Sequence, residues 1–202
     1  MEQVISQSSK RYTVEEYLRL ERAADEKHEF RDGQILAMSG GTVRHSLICA
    51  NVSGTLRSLI KGGPCRVFDS NLRVRIRRRG LYSYPDVTVI CGKAAFDEDD
   101  SSGESVINAQ LVVEVLSPST ESFDRKQKFD QYRDIPSFQE YVLVSQETAR
   151  VESYARQPDG SWSFDVANEL SAKILLRSIQ VELPLAEVYS GVDFTQNESP
   201  TA

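Results

Sequence analysis

The alternation of apolar and polar positions divides the chain into segments with a helical or a strand-like period. Helical segments show apolar residues at three- and four-residue steps. The first follows Thr13, which with Glu16 has the sequence of a capping box. A second runs over about 42–61 and is stopped by Gly-Gly-Pro. A third helix is predicted over roughly 121–134, ending near Pro136.

Strand-like segments occupy most of the remaining chain. Asp32-Gly33 and Pro158-Asp159-Gly160 each separate two short mixed runs, which predicts two β-hairpins. CRVFDSNLRVRIRRR and EYVLVS are strand-like, while DVTVICG and QLVVEVLS are nearly continuous apolar runs. Runs of this kind are typical of strands buried on both faces. The order of elements predicts a mixed α/β (α+β) domain with one central sheet.

The length of 202 residues suits one sizeable hydrophobic core. We expect a single domain over 12–192, with flexible tails at 1–11 and 193–202. No apolar run approaches the ~20 residues that a bilayer span requires, and the N-terminus lacks a secretory pattern. These features predict a cytoplasmic protein without a membrane partner.

The residues that bind soft metals or form cross-links are few. Cys49, Cys65 and Cys91 are an odd number without CxxC spacing, which predicts free thiols rather than disulfides or a zinc site. The chain has 2 histidines, which excludes a histidine-rich metal site.

The charge distribution is uneven. A net charge of −6 argues against a protein that coats nucleic acid through its overall field, but it leaves room for a local basic groove. Arg73, Arg75 and Arg77 alternate along one predicted strand, where they could contact backbone phosphates. The alternative is a solvated edge strand whose charges oppose aggregation.

Two carboxylates in apolar runs give the strongest functional indication. Asp86 begins DVTVI, and Glu114 interrupts LVVEVL. A buried carboxylate is costly unless it is paired or holds a metal. With Lys128 on the following helix, the order predicts the cation site of a metal-dependent nuclease. The alternative is a structural ion network, and Lys128 alone would be typical of a solvated helix face.

Several segments resemble the Uma-two family of endonucleases, which have the restriction-endonuclease-like PD-(D/E)XK fold. The matching segments run from residue 12 to about 147, and ELPLAEVY near the C-terminus also fits. The specific part is YPDV followed by LVVEVLSPST and then DRKQKFDQYR. The resemblance implies a restriction-endonuclease-like central mixed sheet flanked by helices.

The resemblance also implies roles for individual residues. Asp86 would be the aspartate of the PD pair, and Glu114 the acidic member of (D/E)XK. The lysine expected two residues later is replaced by Leu116, so Lys128 is expected to take over its role. Glu29 is implied as a further acidic residue, either a second metal ligand or a support for the first ones.

Further residues are candidates for contacts with metal or nucleic acid. The backbone carbonyl of Val115 is a candidate metal ligand. Tyr132, which resembles the tyrosine of a QxxxY spacing with Lys128 at the glutamine position, is a candidate contact to nucleic acid, as are His45 and Ser117. The alternatives are a structural hydrogen bond for His45 and a turn or N-cap role for Ser117.

Together these features predict an endonuclease that hydrolyses DNA phosphodiester bonds with Mg²⁺, or alternatively Mn²⁺, as cofactor. A homodimer is expected, because cleavage of both strands of a duplex suits two-fold symmetry. The rival prediction is a non-catalytic nucleic-acid-binding or accessory protein that retains the fold. The displaced lysine and a pI of about 5.1 favour that rival.

Overall fold

The computed structural model describes residues 10–38, 40–118 and 120–195. Most of the predicted tails, and Ser119 at the predicted start of the third helix, lie outside these ranges. Among the described residues, none of the helices has both the length and the hydropathy that a membrane span requires.

The helices are short, apart from the second. In chain order they are α1 (Val14–Ala23), α2 (Val43–Leu59), α3 (Glu121–Phe123), α4 (Phe129–Tyr132) and α5 (Leu185–Val188). The capping box of α1 is present, since the Thr13 hydroxyl accepts from the Glu16 N–H and the Glu16 carboxylate accepts from the Thr13 N–H.

The predicted third helix is interrupted. A π-helical segment, Asp124–Lys128, joins α3 to α4. The carbonyl of Asp124 accepts a hydrogen bond from the Tyr141 hydroxyl at 3.0 Å, so a side chain satisfies this part of the turn. π-Turns inside helices are frequent at functional sites, and Lys128 is the last residue of this one.

The strands form two larger sheets and one hairpin. They are β1 (His28–Arg31), β2 (Gln34–Ala37), β3 (Cys65–Asp69), β4 (Arg73–Ile76), β5 (Leu81–Ser83), β6 (Val87–Cys91), β7 (Ser105–Val106), β8 (Leu111–Val115), β9 (Glu140–Val144), β10 (Val151–Arg156), β11 (Trp162–Ala167), β12 (Lys173–Leu176) and β13 (Val181–Pro184). The orders are β2-β1-β5-β4-β7, β11-β10-β9-β8-β6-β3 and β12-β13.

The predicted central mixed sheet is present as the six-stranded sheet, and the five-stranded sheet is a second sheet that the sequence pattern did not separate from it. The segment 65–79, which the sequence pattern treats as one strand, turns at Asp69, whose carbonyl accepts from the Leu72 N–H. Its first half becomes β3 in the six-stranded sheet, and its second half becomes β4 in the five-stranded sheet. A turn of this kind has little local signature, because both halves keep strand-like composition.

The six-stranded sheet is the centre of the molecule. It is mixed, because β8 and β9 are parallel while the other pairs are antiparallel. β8 and β9 are buried along their whole length, as the apolar runs predict. Alternate residues of β8 point to opposite faces, so Val113 packs in the cluster with Ile48 of α2, and Val112 packs with Tyr132 of α4.

The prediction of three free thiols is wrong for two of the cysteines. β3 pairs with β6 so that Cys65 lies directly opposite Cys91, and a disulfide joins them. Sequence spacing could not reveal this pair, because the register of two strands 26 residues apart brings the two side chains together. Cys49 is free, as predicted.

Candidate functional site

The candidate site lies where the chain passes from one sheet to the other. Ser83 ends β5 in the five-stranded sheet, and three residues later Asp86 precedes β6 in the six-stranded sheet. The antiparallel register pairs Val87 with Val113, which places Glu114 beside Asp86. The junction therefore brings together carboxylates from neighbouring strands.

Lys128 enters this junction from the end of the π-helical segment. Its Nζ lies 3.1 Å from Glu114 Oε1, 3.5 Å from Asp124 Oδ1 and 3.6 Å from Glu29 Oε1. Lys128 is 9% exposed and Glu114 is 4% exposed, so neither is part of a solvated face. Arg31 Nη2 also lies 3.8 Å from Glu29 Oε2, so two cationic groups face three carboxyl groups and one acidic group remains in excess.

Two hydroxyl groups fix the carboxylates. The Tyr132 hydroxyl donates to Glu114 Oε1 at 3.1 Å, and the Ser83 hydroxyl donates to Glu29 Oε1 at 2.6 Å. The two oxygens lie 3.0 Å apart, which links both arms into one network. Tyr132 is fully buried, so it supports Glu114 from within the protein. No sequence pattern had indicated Ser83 as a member of the site.

The excess of carboxyl groups shifts the pKa values of both Glu114 and Lys128. Burial, reinforced by the charges of Asp86, Asp124 and Glu29, raises the pKa of Glu114 well above its ordinary value, although Lys128 opposes this. Burial alone would lower the pKa of Lys128, but Glu114 and Glu29 outweigh it and raise that pKa well above normal. The lysine therefore stays charged, while the cluster favours an additional cation.

Asp86 is held from two sides. Its Oδ2 accepts from the Val115 N–H at 2.7 Å and lies 3.3 Å from His45 Nε2. Burial lowers the pKa of His45, but the hydrogen bond to Asp86 and a further one to the Val115 carbonyl raise it overall. His45 and Val115 therefore both contact Asp86, although the sequence analysis predicted separate roles for them.

Cys49 is a neighbour that the sequence reasoning missed. Its Sγ lies 3.5 Å from His45 Nδ1, and one potential ligand atom from each of His45, Cys49 and Asp86 lies within 4.8 Å of the others. Burial and the charges of Asp86 and Glu114 raise the pKa of the thiol. The available signal was the i, i+4 spacing of His45 and Cys49 on a predicted helix.

The residues fit a divalent ion. Asp86 Oδ2 accepts from the Val115 N–H and Glu114 Oε1 accepts from the Tyr132 hydroxyl, and each carboxylate has a second oxygen that could bind an ion. Oxygen ligands suit Mg²⁺ or Mn²⁺, and the imidazole and thiol nearby suit softer ions. Asp86 belongs to both donor groups.

Two further predicted residues have clear structural contacts. The hydroxyl of Ser117 lies 2.9 Å from that of Thr120 and accepts from the Thr120 N–H at 3.3 Å, in the turn before α3. Leu116, at the position where (D/E)XK has lysine, is buried in the cluster that contains Tyr132. Lys128 therefore approaches Glu114 from the helix that covers this face of the sheet.

The expected row of three exposed arginines is not formed. Arg73 is 2% exposed, with Nη2 2.8 Å from Asp100 Oδ2 and Nε donating to Ser105 Oγ at 2.6 Å. β4 lies inside the sheet between β5 and β7, which encloses Arg73 and excludes the edge-strand alternative. A phosphate contact by Arg73 stays a prediction. Arg75 is also buried, while Arg77 is half exposed, and their role in binding nucleic acid stays a prediction.

Comparison with known proteins identifies related sequences and folds. A model of the Uma2 family, described as "Putative restriction endonuclease", matches residues 14–186. Uncharacterized protein slr1290 of Synechocystis sp. (strain ATCC 27184 / PCC 6803 / Kazusa) is 38% identical over 180 residues, covering 89% of this chain and 92% of that protein. Uncharacterized protein sll1609 of the same organism is 39% identical over 155 residues, covering 77% and 86%.

A solved structure supports the fold. The crystal structure of a "putative nuclease belonging to DUF820" from Anabaena variabilis ATCC 29413 superposes with a TM-score of 0.69 at 21% identity. The match covers 88% of this chain and 97% of that chain. The mixed α+β fold predicted from the sequence is thereby confirmed.

Proposed function

Since the chain belongs to the Uma2 family, whose description is that of restriction endonucleases, we propose that it is a metal-dependent endonuclease that hydrolyses DNA phosphodiester bonds with Mg²⁺. The observation that carries this proposal is the buried cluster in which Lys128 lies 3.1 Å from Glu114, beside Asp86. A structural ion network would balance its charges, whereas this one keeps an excess of carboxylates.

Each residue has a defined part in the proposed mechanism. A divalent ion held by Asp86 and Glu114 would supply Lewis-acid activation of water and neutralise charge at the phosphate. Lys128, kept protonated by its carboxylate neighbours, stabilises the developing charge on the phosphoryl oxygens. Glu29 holds the Lys128 ammonium in place, and Tyr132 orients Glu114.

Mn²⁺ is the alternative cofactor in this proposal. Mn²⁺, like Mg²⁺, prefers carboxylate oxygens, so Asp86 and Glu114 would hold either ion. A homodimer remains part of the proposal for cleavage of duplex DNA.

The second candidate is a non-catalytic nucleic-acid-binding protein that retains the fold. The enclosure of Lys128, which is 9% exposed, favours it, because a cation that acts on phosphate must reach the substrate. In that case Asp86 and Glu114 would form a structural ion network.

The test combines ion binding with cleavage. Titration calorimetry with Mg²⁺ and Mn²⁺ and cleavage of plasmid and single-stranded DNA are measured on the wild type, Asp86→Asn/Glu114→Gln and Cys49→Ser. We expect binding and cleavage by the wild type and loss of both in the double variant, with melting temperature monitoring the fold. Cys49→Ser should retain Mg²⁺ binding if the ligands are oxygens.

Two outcomes would contradict the proposal. A wild type that binds neither ion, with or without DNA, and cleaves neither substrate would favour the non-catalytic protein. A double variant that loses only thermal stability, while the wild type shows no metal effect, would identify a structural network. Loss of ion binding in Cys49→Ser would move the site toward α2.

A further inference from the structure

A second basic feature lies at the far end of the central sheet. A groove of about 540 Å³ is lined by residues from the Arg77–Arg79 turn, the segment before β8, the segment after α4 and the end of β10. Of the described residues that line it, five are arginines and one is acidic: Arg75, Arg77, Arg78, Arg133, Arg156 and Asp134. This charge contrasts with the net −6 of the whole chain.

The arginines of the groove are incompletely neutralised. Arg75 and Arg77 share the buried carboxylate of Asp97, with N–O distances of 3.7 and 3.4 Å. Two exposed carboxylates also pair with groove arginines, since Asp99 lies 4.0 Å from Arg75 and Asp130 lies 3.3 Å from Arg133. The closest cation of Asp134 is Arg79 at 2.6 Å, which leaves Arg78 at 3.9 Å. Guanidinium groups that share carboxylates in this way retain donors for another anion.

Two arginines that line the groove, Arg75 and Arg156, have donors or charge left to bind a ligand. Arg75 is 6% exposed, and its Nε and Nη1 have no hydrogen-bond partner among the described residues. A buried donor without an acceptor is costly, and a ligand oxygen would remove that cost. Across the groove, the exposed side chain of Arg156 forms no ion pair in the part of the chain that the structure describes.

The rest of the lining is apolar or carries an amide. Ile107, Ile135 and Pro136 provide apolar surface, and Asn108 provides a donor and an acceptor. A volume of about 540 Å³ lies in the range of small-molecule sites. Arginines that bind phosphate, beside apolar surface and an amide that can contact a base, match a nucleotide better than a bare anion.

We propose that this groove binds a phosphorylated nucleotide unit, either within a nucleic-acid strand or as a free nucleotide. Its lining differs from the candidate site, because neither Asp86, Glu114 nor Lys128 is among the described residues that line it. If the proposed nuclease function holds, the groove contacts the substrate away from the scissile phosphate. Binding itself does not depend on hydrolysis.

The test measures binding without catalysis. Fluorescence anisotropy in EDTA records the affinity of the full chain for a labelled single-stranded oligonucleotide and a labelled duplex. The test variant is Arg78→Gln/Arg156→Gln, which changes two exposed side chains. The control is Arg19→Gln/Arg57→Gln, which removes the same charge from exposed positions elsewhere.

We expect the test variant to raise Kd about tenfold and to reduce the slope of log K against log salt by about 2. The control should change Kd less than about twofold, and Asp134→Asn should strengthen binding because it removes the groove's carboxylate. Equal weakening by the test and control variants, or no weakening by either, would overturn the proposal.

Competition distinguishes the two sources of the nucleotide. Displacement of the oligonucleotide by millimolar dAMP or ATP identifies a free nucleotide, and displacement only by unlabelled strands identifies nucleic acid. Equal displacement by polyglutamate would overturn the proposal in favour of an acidic polypeptide. Asp86→Asn/Glu114→Gln should bind the oligonucleotide like the wild type in EDTA, so failure of the nuclease proposal is recognised separately.

Discussion

Two of the buried ion clusters in the described part of the chain differ in charge balance. In the Arg73–Asp100 pair, one guanidinium meets one enclosed carboxylate, and Ser105 donates to the same Asp100 oxygen. In the Lys128 cluster, one ammonium faces Glu114, Glu29 and Asp124. Both are buried, so burial alone does not distinguish structure from function.

The pKa shifts of the two clusters have opposite directions. Burial acts to raise the pKa of Asp100, but the hydrogen bonds of Ser102, Ser105 and Arg73 outweigh it and lower that pKa. For Glu114, burial and neighbouring carboxylates outweigh Lys128 and raise the pKa. The ion pair with Arg73 stabilises the charged form of Asp100. The charged form of Glu114 is not fully stabilised by its neighbours, so an added cation would stabilise it. This difference is the physical reason to place function at Glu114.

The largest expected effect is the loss of stability when the Arg73–Asp100 ion pair is broken. Arg73→Met should lower the free energy of unfolding by about 3–5 kcal/mol, because it leaves Asp100 buried without a cation. Urea denaturation measures the change. The control is Arg79→Met, which breaks a 2.6 Å ion pair whose arginine is 53% exposed and should cost less than about 1 kcal/mol. Equal losses in the two variants would contradict the interpretation of Arg73.

A smaller effect is expected when the site loses its own cation. Lys128→Met should tighten Mn²⁺ binding about tenfold, because Glu114, Glu29 and Asp124 then lack their shared positive charge. Titration calorimetry measures the affinity, and Lys126→Met, an exposed neighbour, is the control. Cleavage should be lost despite the tighter binding. Weaker ion binding would mean that Lys128 organises the ligands rather than competing with the ion.

The smallest expected effect is on the pH dependence of stability, measured in EDTA. Glu114 and Asp100 should contribute to it with opposite signs. Because the folded pKa of Glu114 is raised above its usual 4.5, wild type should lose stability relative to Glu114→Gln as pH rises from 4.5 through the folded value. The folded pKa of Asp100 is lowered below its usual 3.8. The contribution of Asp100 to the free energy of unfolding should therefore be present above pH 3.8 and be lost as pH falls toward the folded pKa.

Urea denaturation of the wild type, Glu114→Gln and Asp100→Asn between pH 3 and 8 checks both signs. The expected outcome is the sign of each slope within this pH range. Two curves that slope in the same direction would remove the distinction between the clusters.

Much of the local structure could be predicted from the sequence. The Thr13 capping box, the hairpins at Asp32-Gly33 and Pro158-Asp159-Gly160, and the buried strands around Val89 and Val113 all form as expected. Each depends on residues close together in the chain or on an uninterrupted apolar run. The proximity of Glu114 and Lys128, implied by the resemblance, is also present.

The features that could not be predicted depend on distant pairing. Ser83 and Cys49 reach the site from β5 and α2, and Cys65 meets Cys91 through a strand register. Arg73 has the same sequence pattern as a surface arginine, but the insertion of β4 between β5 and β7 encloses it. Sequence period specifies alternation along a strand, not which faces the other strands cover.

The sequence by itself determined the helices, the hairpins, the buried strands and the carboxylates that interrupt them, because propensity, capping and periodicity act over a few residues. Only the tertiary structure decided which carboxylates lie beside which cationic side chains. Pairing of strands from two sheets gave Asp100 its own arginine and gathered Glu29, Glu114 and Asp124 around one lysine. Charge balance depends on distances across the fold, and Coulomb energies follow those distances rather than separation along the chain.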